Sequence, residues 1–327
     1  MKRSLYLLFL PFCLFSISNC TNNKPGGESL KKEIPGSPYI VILGVAQDAG
    51  YPQTGCNKEC CTKVWKNPSL KRFPTSLALV DPATKKWWLF EATPDIKDQL
   101  QLFQSLTDSA YGFLPDGIFL THGHIGHYTG LMQFGREVMN TTKLPVYAMP
   151  RMKNYLTQNG PWSQLVSLQN ILLQELVAGT TTPLTDNITV TPFIVPHWDE
   201  FTETVGFGIQ TGNYKTIFIP DIDKWNKFEM DISTIVNQSD LAFLDGTFYR
   251  DEEIPGRAMS EIPHPFIEES VLQFDSLAAV SKKKIRFIHF NHTNPLLNEA
   301  SDEFRKIVSM GFMIAKQGEL IPLNVNK

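Results

Sequence analysis

The chain has no surplus of either charge and no long run of one sign. Thirty Lys and Arg stand against 33 Asp and Glu in 327 residues, a formal net charge of −3, and the basic run Lys282-Lys283-Lys284 reads as a solvated stretch before a strand. Phosphate backbones are bound by clustered cations, so no nucleic acid is expected as a partner. A membrane-spanning run is missing as well. The apolar stretch "SLYLLFLPFCLFSIS" at residues 4–18 is shorter than the roughly 20 residues a bilayer requires. Nothing repeats at a short period, which leaves out solenoids and propellers. No linker-like composition interrupts the chain after residue 38, so a single domain is expected over 38–327. With 42% hydrophobic and 19% charged residues, that length buries a large core of α/β or α+β type.

What is present begins with the N-terminus. Lys2 and Arg3 precede the apolar run, the pattern of a signal peptide. "SISNC" followed by "TNNKPGGE" places Cys20 as the acceptor of a bacterial lipoprotein signal, although Asn19 stands where a small residue is commoner. The expected layout is a signal peptide over 1–19 and a flexible tether over 20–37, rich in Asn, Lys, Gly, Pro and Ser. The expected location is the bacterial cell envelope, with the membrane as partner through the lipid on Cys20. An unprocessed anchor or plain secretion are the other readings.

Strand and helix patterns alternate beyond the tether. "PYIVILGV", "SLALV", "KWWLFEA", "DGIFLTH", "NITVTPFIVPH", "ETVGFGIQTG", "YKTIFIPD", "DLAFLDG" and "KIRFIHF" read as strands. "DIKDQLQLFQSL", capped by Asp95, and "HYTGLMQFGREVM" read as helices, as do segments near 266–280 and 298–309. Seven histidines occur, at His122, His124, His127, His197, His264, His289 and His292. Most stand just past a predicted strand, as do Asp221 and Asp245. Ligand sites in open α/β sheets gather beyond strand ends, so these side chains are expected to converge. Imidazole and carboxylate are ligands of zinc, iron and manganese. The segment "THGHIGH" sets two histidines in a loop and a third on a first helical turn, a geometry that suits one or two metals.

"THGHIGHYTGL" resembles the His-x-His-x-Asp-His signature of the metallo-β-lactamase fold. "GVAQDAGYPQTGC", "LFEATPDI", "DGTFYRDEE", "GRAMSEIPHP" and "FIHFNHTNPL" are similar to the family of the B protein of pyrroloquinoline quinone biosynthesis. The resemblance implies an αββα sandwich with metals at one edge of two sheets. It implies that His122, His124 and His197 bind a first metal, that Asp221 bridges, and that His127, Asp221 and His289 bind a second. The chain departs from the signature at Gly126, where the family has an aspartate of the second site. That site is therefore expected to be weakened, or completed by His264 or His292. His264 and His292 are also candidates to protonate a leaving group, and His292 alternatively to orient a ligand. Asp245 and Glu91 are placed around the ligands, and Asp48 is assigned to capping a glycine-rich turn.

Cys56, Cys60 and Cys61 in "GCNKECC" are an odd number for disulfides, and the neighbours Cys60 and Cys61 would pair only under strain. A structural zinc with a fourth ligand from elsewhere, or one disulfide plus a free thiol, are the two readings. Three functions follow. One is a metal-dependent hydrolase of a small ester, lactone or phosphodiester, using zinc with iron or manganese as alternatives. Another is an iron-dependent oxygenase acting on a quinone or aromatic precursor. The third is a lipoprotein that binds metal or ligand without turnover. A small molecule is the expected substrate, and Trp162, Trp198, Trp225 and Phe248 are aromatic candidates for its surroundings. The oligomeric state is left open.

Overall fold

The computed structural model describes residues 33–251, 253–254, 256 and 262–323. By contact the chain divides into Met1–Glu33 and Ile34–Lys327, and the description that follows concerns the second unit. The expected signal peptide, Cys20 and most of the tether lie outside the described residues. No helix among those described is long and apolar enough to cross a membrane.

Among the described residues, fourteen strands form two seven-stranded sheets. The first contains β1 (Tyr39–Gly44), β2 (Ser76–Asp81), β3 (Lys86–Phe90), β4 (Gly117–Phe119), β5 (Leu144–Ala148), β6 (Ile171–Glu175) and β14 (Leu320–Pro322), in the order β14-β1-β2-β3-β4-β5-β6. The second contains β7 (Thr182–Thr185), β8 (Ile188–Ile194), β9 (Val205–Thr211), β10 (Tyr214–Ile219), β11 (Leu241–Asp245), β12 (Ile285–Ile288) and β13 (Met313–Ile314), in the order β13-β12-β11-β10-β9-β8-β7. Each sheet is antiparallel in one half and parallel in the other. The parallel halves are β3 to β6 and β10 to β13. Parallel neighbours end on the same edge, which sets the C-terminal ends of β3 and β4 together in one sheet and those of β10, β11 and β12 together in the other.

The β1 run YIVILG is buried at every position because each of its faces meets a different layer. Ile40 and Ile42 join Leu77, Leu79, Trp88, Phe90 and Phe119 in the core shared with the second sheet, where Ile188, Val190, Phe207 and Ile209 pack. Tyr39, Val41 and Leu43 point the other way, onto Ile96, Leu100 and Phe103 of α2 (Ile96–Leu106). Phe90, Phe119 and Phe207 meet at centroid separations of 5.1, 5.5 and 5.6 Å, one pair stacked and two edge-on, joining the sheets by dispersion and quadrupole contact. Helices elsewhere in the chain are α1 (Glu59–Lys66), α3 (Ile125–Tyr128), α4 (Pro150–Gln158), α5 (Trp162–Ser167), α6 (Ile232–Asn237), α7 (Ile267–Gln273), α8 (Ala279–Lys282) and α9 (Asp302–Ser309). The arrangement is the expected αββα sandwich.

Three local expectations are corrected. "HYTGLMQFGREVM" is not one helix: α3 stops at Tyr128 and Thr129–Phe134 winds as a 3-10 segment. The His127 carbonyl and the Gly130 N–H are both spent on Ala92, at 2.8 and 2.9 Å, which interrupts the α ladder. A Cβ on Gly130 would lie 2.1 Å from the Thr93 carbonyl oxygen, so this close approach requires glycine. Asp95 occupies the N-cap of α2 without a side-chain cap bond and faces Lys71 at 3.7 Å instead. Trp162 and Trp225 are packing residues: Trp162 lies 4.9 Å from the Tyr128 ring, and buried Trp225 donates its indole N–H to Ser270 Oγ at 2.9 Å.

Candidate metal centre

Three histidines and two aspartates of the cluster are delivered by strand ends. His122 follows β4 by three residues, His197 follows β8 by three, Asp221 follows β10 by two, Asp245 ends β11 and His289 follows β12 directly. His289 and Glu91, the residue after β3, have φ of 71° and 72°. Non-glycine residues held in the left-handed region cost on the order of 1–3 kcal/mol each, and here the turns aim both side chains inward.

Asp221 sits at the middle. Its carboxylate oxygens lie 3.3 Å from His122 Nε2, 3.3 Å from His197 Nε2, 3.2 Å from His264 Nδ1, 3.8 Å from His127 Nε2 and 4.0 Å from His124 Nδ1. His122, His124, His197 and Asp221 each turn one ligand atom into a common space. Although these atoms approach to ion-pair distance, several lack hydrogen-bond geometry. His122 Nε2, His127 Nε2, His289 Nε2 and Asp221 Oδ1 are buried without a hydrogen-bond partner. An unsatisfied buried polar atom costs about 1–3 kcal/mol, and four at one point are what a cation would satisfy. The donor set therefore fits a divalent metal.

The opposite nitrogens are held by the protein. His197 Nδ1 faces Asp223 Oδ1 at 3.3 Å, His127 Nδ1 faces Glu91 Oε2 at 3.5 Å and His122 Nδ1 faces Thr121 Oγ1 at 2.9 Å. At His289 the tautomer can be deduced. Asp245 Oδ1 accepts from the Thr247 N–H and from Thr247 Oγ1, at 2.8 and 2.7 Å. The Thr247 hydroxyl, having donated its proton, accepts from His289 Nδ1–H at 2.8 Å. In the neutral ring Nε2 is then the nitrogen that carries the lone pair. Glu91 and Asp245 accordingly surround the ligands as expected.

The charges are strongly coupled. Burial alone would raise the Asp221 carboxyl, but His197 and His264 hold it well below the usual range. Burial disfavours the His264 cation, yet Asp245 at 2.9 Å and Asp221 keep its imidazole protonated well above the ordinary range. His122, fully enclosed and beside His127, is pushed the other way and stays neutral. The cleft above these groups is lined by Gln47, Asp48, His124, Trp198, Phe248 and His264.

Three placements differ from expectation. Asp48 does not merely cap its turn. Its Oδ1 lies 3.1 Å from His127 Nε2 and 3.8 Å from His289 Nε2, and those two imidazoles hold the carboxyl low against the effect of burial. His264 stays with Asp221 and Asp245, away from the Asp48 trio. His292 is not in the cleft: it stands with Cys56, Cys60 and Cys61, their ligand atoms within 4.8 Å of one another. The structure thus places it apart from the cleft, where a proton donor or replacement ligand was expected. The three cysteines are free, with Cys56 and Cys60 sulfurs 3.8 Å apart. Burial pushes the Cys61 thiol up to about 12, so deprotonation there calls for a cation. Asp223 was not foreseen. Its signal was available in "PDID", where a second acid follows Asp221 by two residues.

Comparison with known proteins agrees with this architecture. The Beta-lactamase superfamily domain matches residues 86–290. Coenzyme PQQ synthesis protein B of Methylorubrum extorquens (strain PA1) is 27% identical over 310 residues, covering 87% of this chain and all of that protein. The crystal structure of Zn(2+)-bound PqqB from Methylobacterium extorquens superposes with a TM-score of 0.70 at 24% identity, covering 87% of this chain and 100% of that one. That of a diphosphatase from the PhnP family gives 0.62 at 20% identity, with 88% and 98% covered.

Proposed function

We infer the function from one premise: the chain belongs to the β-lactamase superfamily, by the match of that domain over residues 86–290. On that premise the protein is a metal-dependent hydrolase of a small ester, lactone or phosphodiester. The observation that carries the reading is the set His122, His124, His197 and Asp221, whose ligand atoms converge at the floor of an open cleft. These four would hold a divalent cation, zinc first and manganese or iron as alternatives, which would supply a more acidic coordinated water and a polarising charge for the substrate oxygen.

The remaining work falls to the chain itself. Asp223 and Thr121 fix the ring orientations of His197 and His122, so that, once deprotonated, their Nε2 lone pairs would face the cleft. His264, its Nδ1–H directed at Asp245, offers Nε2–H to a departing oxygen as general acid. Trp198 and Phe248 form an apolar wall against which an aromatic or aliphatic portion of the substrate packs. Cys56, Cys60, Cys61 and His292 would hold a separate structural zinc, tying the α1 region to the segment after β12.

A second reading, an iron-dependent oxygenase acting on a quinone or aromatic precursor, is favoured by the similarity to coenzyme PQQ synthesis protein B along nearly the whole described chain. Hydrolysis of a panel of nitrophenyl esters, phosphodiesters and lactones by Mn²⁺- or Zn²⁺-loaded protein separates the two. Turnover without oxygen is expected, with His264→Ala losing roughly 10²–10⁴-fold. Oxygen consumption by the iron-loaded form alone, without hydrolysis under any metal, would replace this reading with the second. Metal uptake with neither activity would leave a non-catalytic binding protein.

A further inference from the structure

Asp48, His127 and His289 form a second group of converging ligand atoms, and its chemistry differs from a hydrogen-bonded cluster. Asp48 Oδ1, His127 Nε2 and His289 Nε2 are all buried without a hydrogen-bond partner. Both imidazoles are 1% exposed. Of the outward nitrogens, His289 Nδ1 is hydrogen-bonded to Thr247, and His127 Nδ1 lies 3.5 Å from Glu91 Oε2 without a hydrogen bond. For His289 this turns the unpartnered Nε2 toward Asp48. A carboxylate and two imidazoles that converge in a buried space with these atoms unpartnered form a donor set that a divalent cation would satisfy. Asp221 Oδ2, 3.3 Å from His122 Nε2 and 3.8 Å from His127 Nε2, links this group to the first.

Gly126 explains how a carboxylate reaches this point. A Cβ built on Gly126 would lie 2.2 Å from Asp48 Oδ1, 2.4 Å from Asp48 Cα and 2.7 Å from Asp48 Cβ. The volume that a side chain at 126 would use is therefore filled by Asp48, backbone included. The turn that carries Asp48 is pinned on two sides. Gln47 N–H donates to the Phe290 carbonyl at 2.8 Å, next to His289, while Val45 and Ala46 donate to the Phe73 carbonyl at 3.0 and 2.9 Å.

We propose that Asp48 is the carboxylate ligand of a second divalent cation held with His127, His289 and Asp221, and that residue 126 is glycine to admit it. The proposal rests on the reading of the cleft as a metal centre. The chain has not lost the second site but has moved its carboxylate from the loop after β4 to the turn after β1.

Titration of the metal-free full-length protein with Mn²⁺, followed by electron paramagnetic resonance and by metal analysis after gel filtration, tests it. Manganese is chosen because it favours carboxylate and imidazole over thiolate. The wild type is expected to take two cleft ions with a spin-coupled signal. Asp48→Ala and Asp48→Asn should take one, with a simple six-line spectrum and an affinity for the second ion at least about a hundredfold weaker. Near-ultraviolet circular dichroism checks that these variants are folded. Gly126→Ala, which forces the Asp48 turn aside, should lose the same ion while keeping the one lost in His124→Ala. Two ions in Asp48→Ala at unchanged affinity, or a single ion in the wild type, would overturn the proposal. No cleft Mn²⁺ in the wild type would overturn the metal-centre reading with it.

Discussion

Raising the pH from about 6 to about 9.5 during Mn²⁺ loading should strengthen binding at least tenfold per unit until about pH 9, then level off. The reason lies at His197. Burial opposes its charge, but Asp221 and then Asp223 more than reverse that, and its pKa rises to about 9. A cation needs the Nε2 lone pair that points at Asp221 Oδ1, 3.3 Å away, so the proton must leave first. At pH 7, two units lower, the protonated form outweighs the neutral one by about a hundredfold, or about 2.7 kcal/mol. The same proton acts with opposite sign on the metal-free fold. Because the folded pKa exceeds the unfolded value near 6.5, its stabilisation is complete below about pH 6.5 and is lost as the pH climbs through 9. Calorimetric titration in two buffers of different ionisation enthalpy counts the protons released, and competition with a chromophoric chelator gives the affinities. Asp223→Asn, which leaves the ligands in place, should shift the levelling point below pH 9 and lower the plateau about 10–100-fold. Binding that is flat from pH 7 to 9, with no proton released, would refute the assignment of His197 as a ligand competing with its own proton.

Other consequences are read by different means. His124→Ala, at a partly exposed position, should remove one cleft ion and abolish hydrolysis while shifting the chemical-denaturation free energy by no more than about 1 kcal/mol. Cys61→Ser should release one zinc per chain by elemental analysis and lower the melting temperature of the zinc-loaded protein, since metal binding there is coupled to folding; an unchanged zinc content would rule out the cysteine site. Phe207→Ala, between Phe90 and Phe119, should cost about 3–5 kcal/mol in urea unfolding. Cys20→Ser should move the protein from the membrane pellet to the soluble fraction in cell fractionation, and persistence in the pellet would remove the lipid-anchor proposal.

The strands were legible because a strand buried on both faces must be apolar along its whole length, as YIVILG in β1 is. His122, Asp221, Asp245 and His289 were legible because residues past the ends of parallel strands fall on one edge. The short half-buried strands β5, β6 and β7 and the helices between them carry no such run, and they were missed. The 3-10 winding after Tyr128 was hidden for another reason: it is imposed by Ala92, a residue of a different strand end.

The sequence by itself determined which side chains were available for a metal centre and which strand ends would present them. Only the tertiary structure decided how they were shared. Asp48 reaches His127 because hydrogen bonds to Phe290 and Phe73 dock its turn against the cluster, and Gly126 leaves room for it. His292 turns away to the cysteines although it lies three residues from His289. Local pattern records the direction of a chain and the polarity of its residues. Which distant segment fills a given volume depends on packing between elements far apart in the chain, which no local pattern contains.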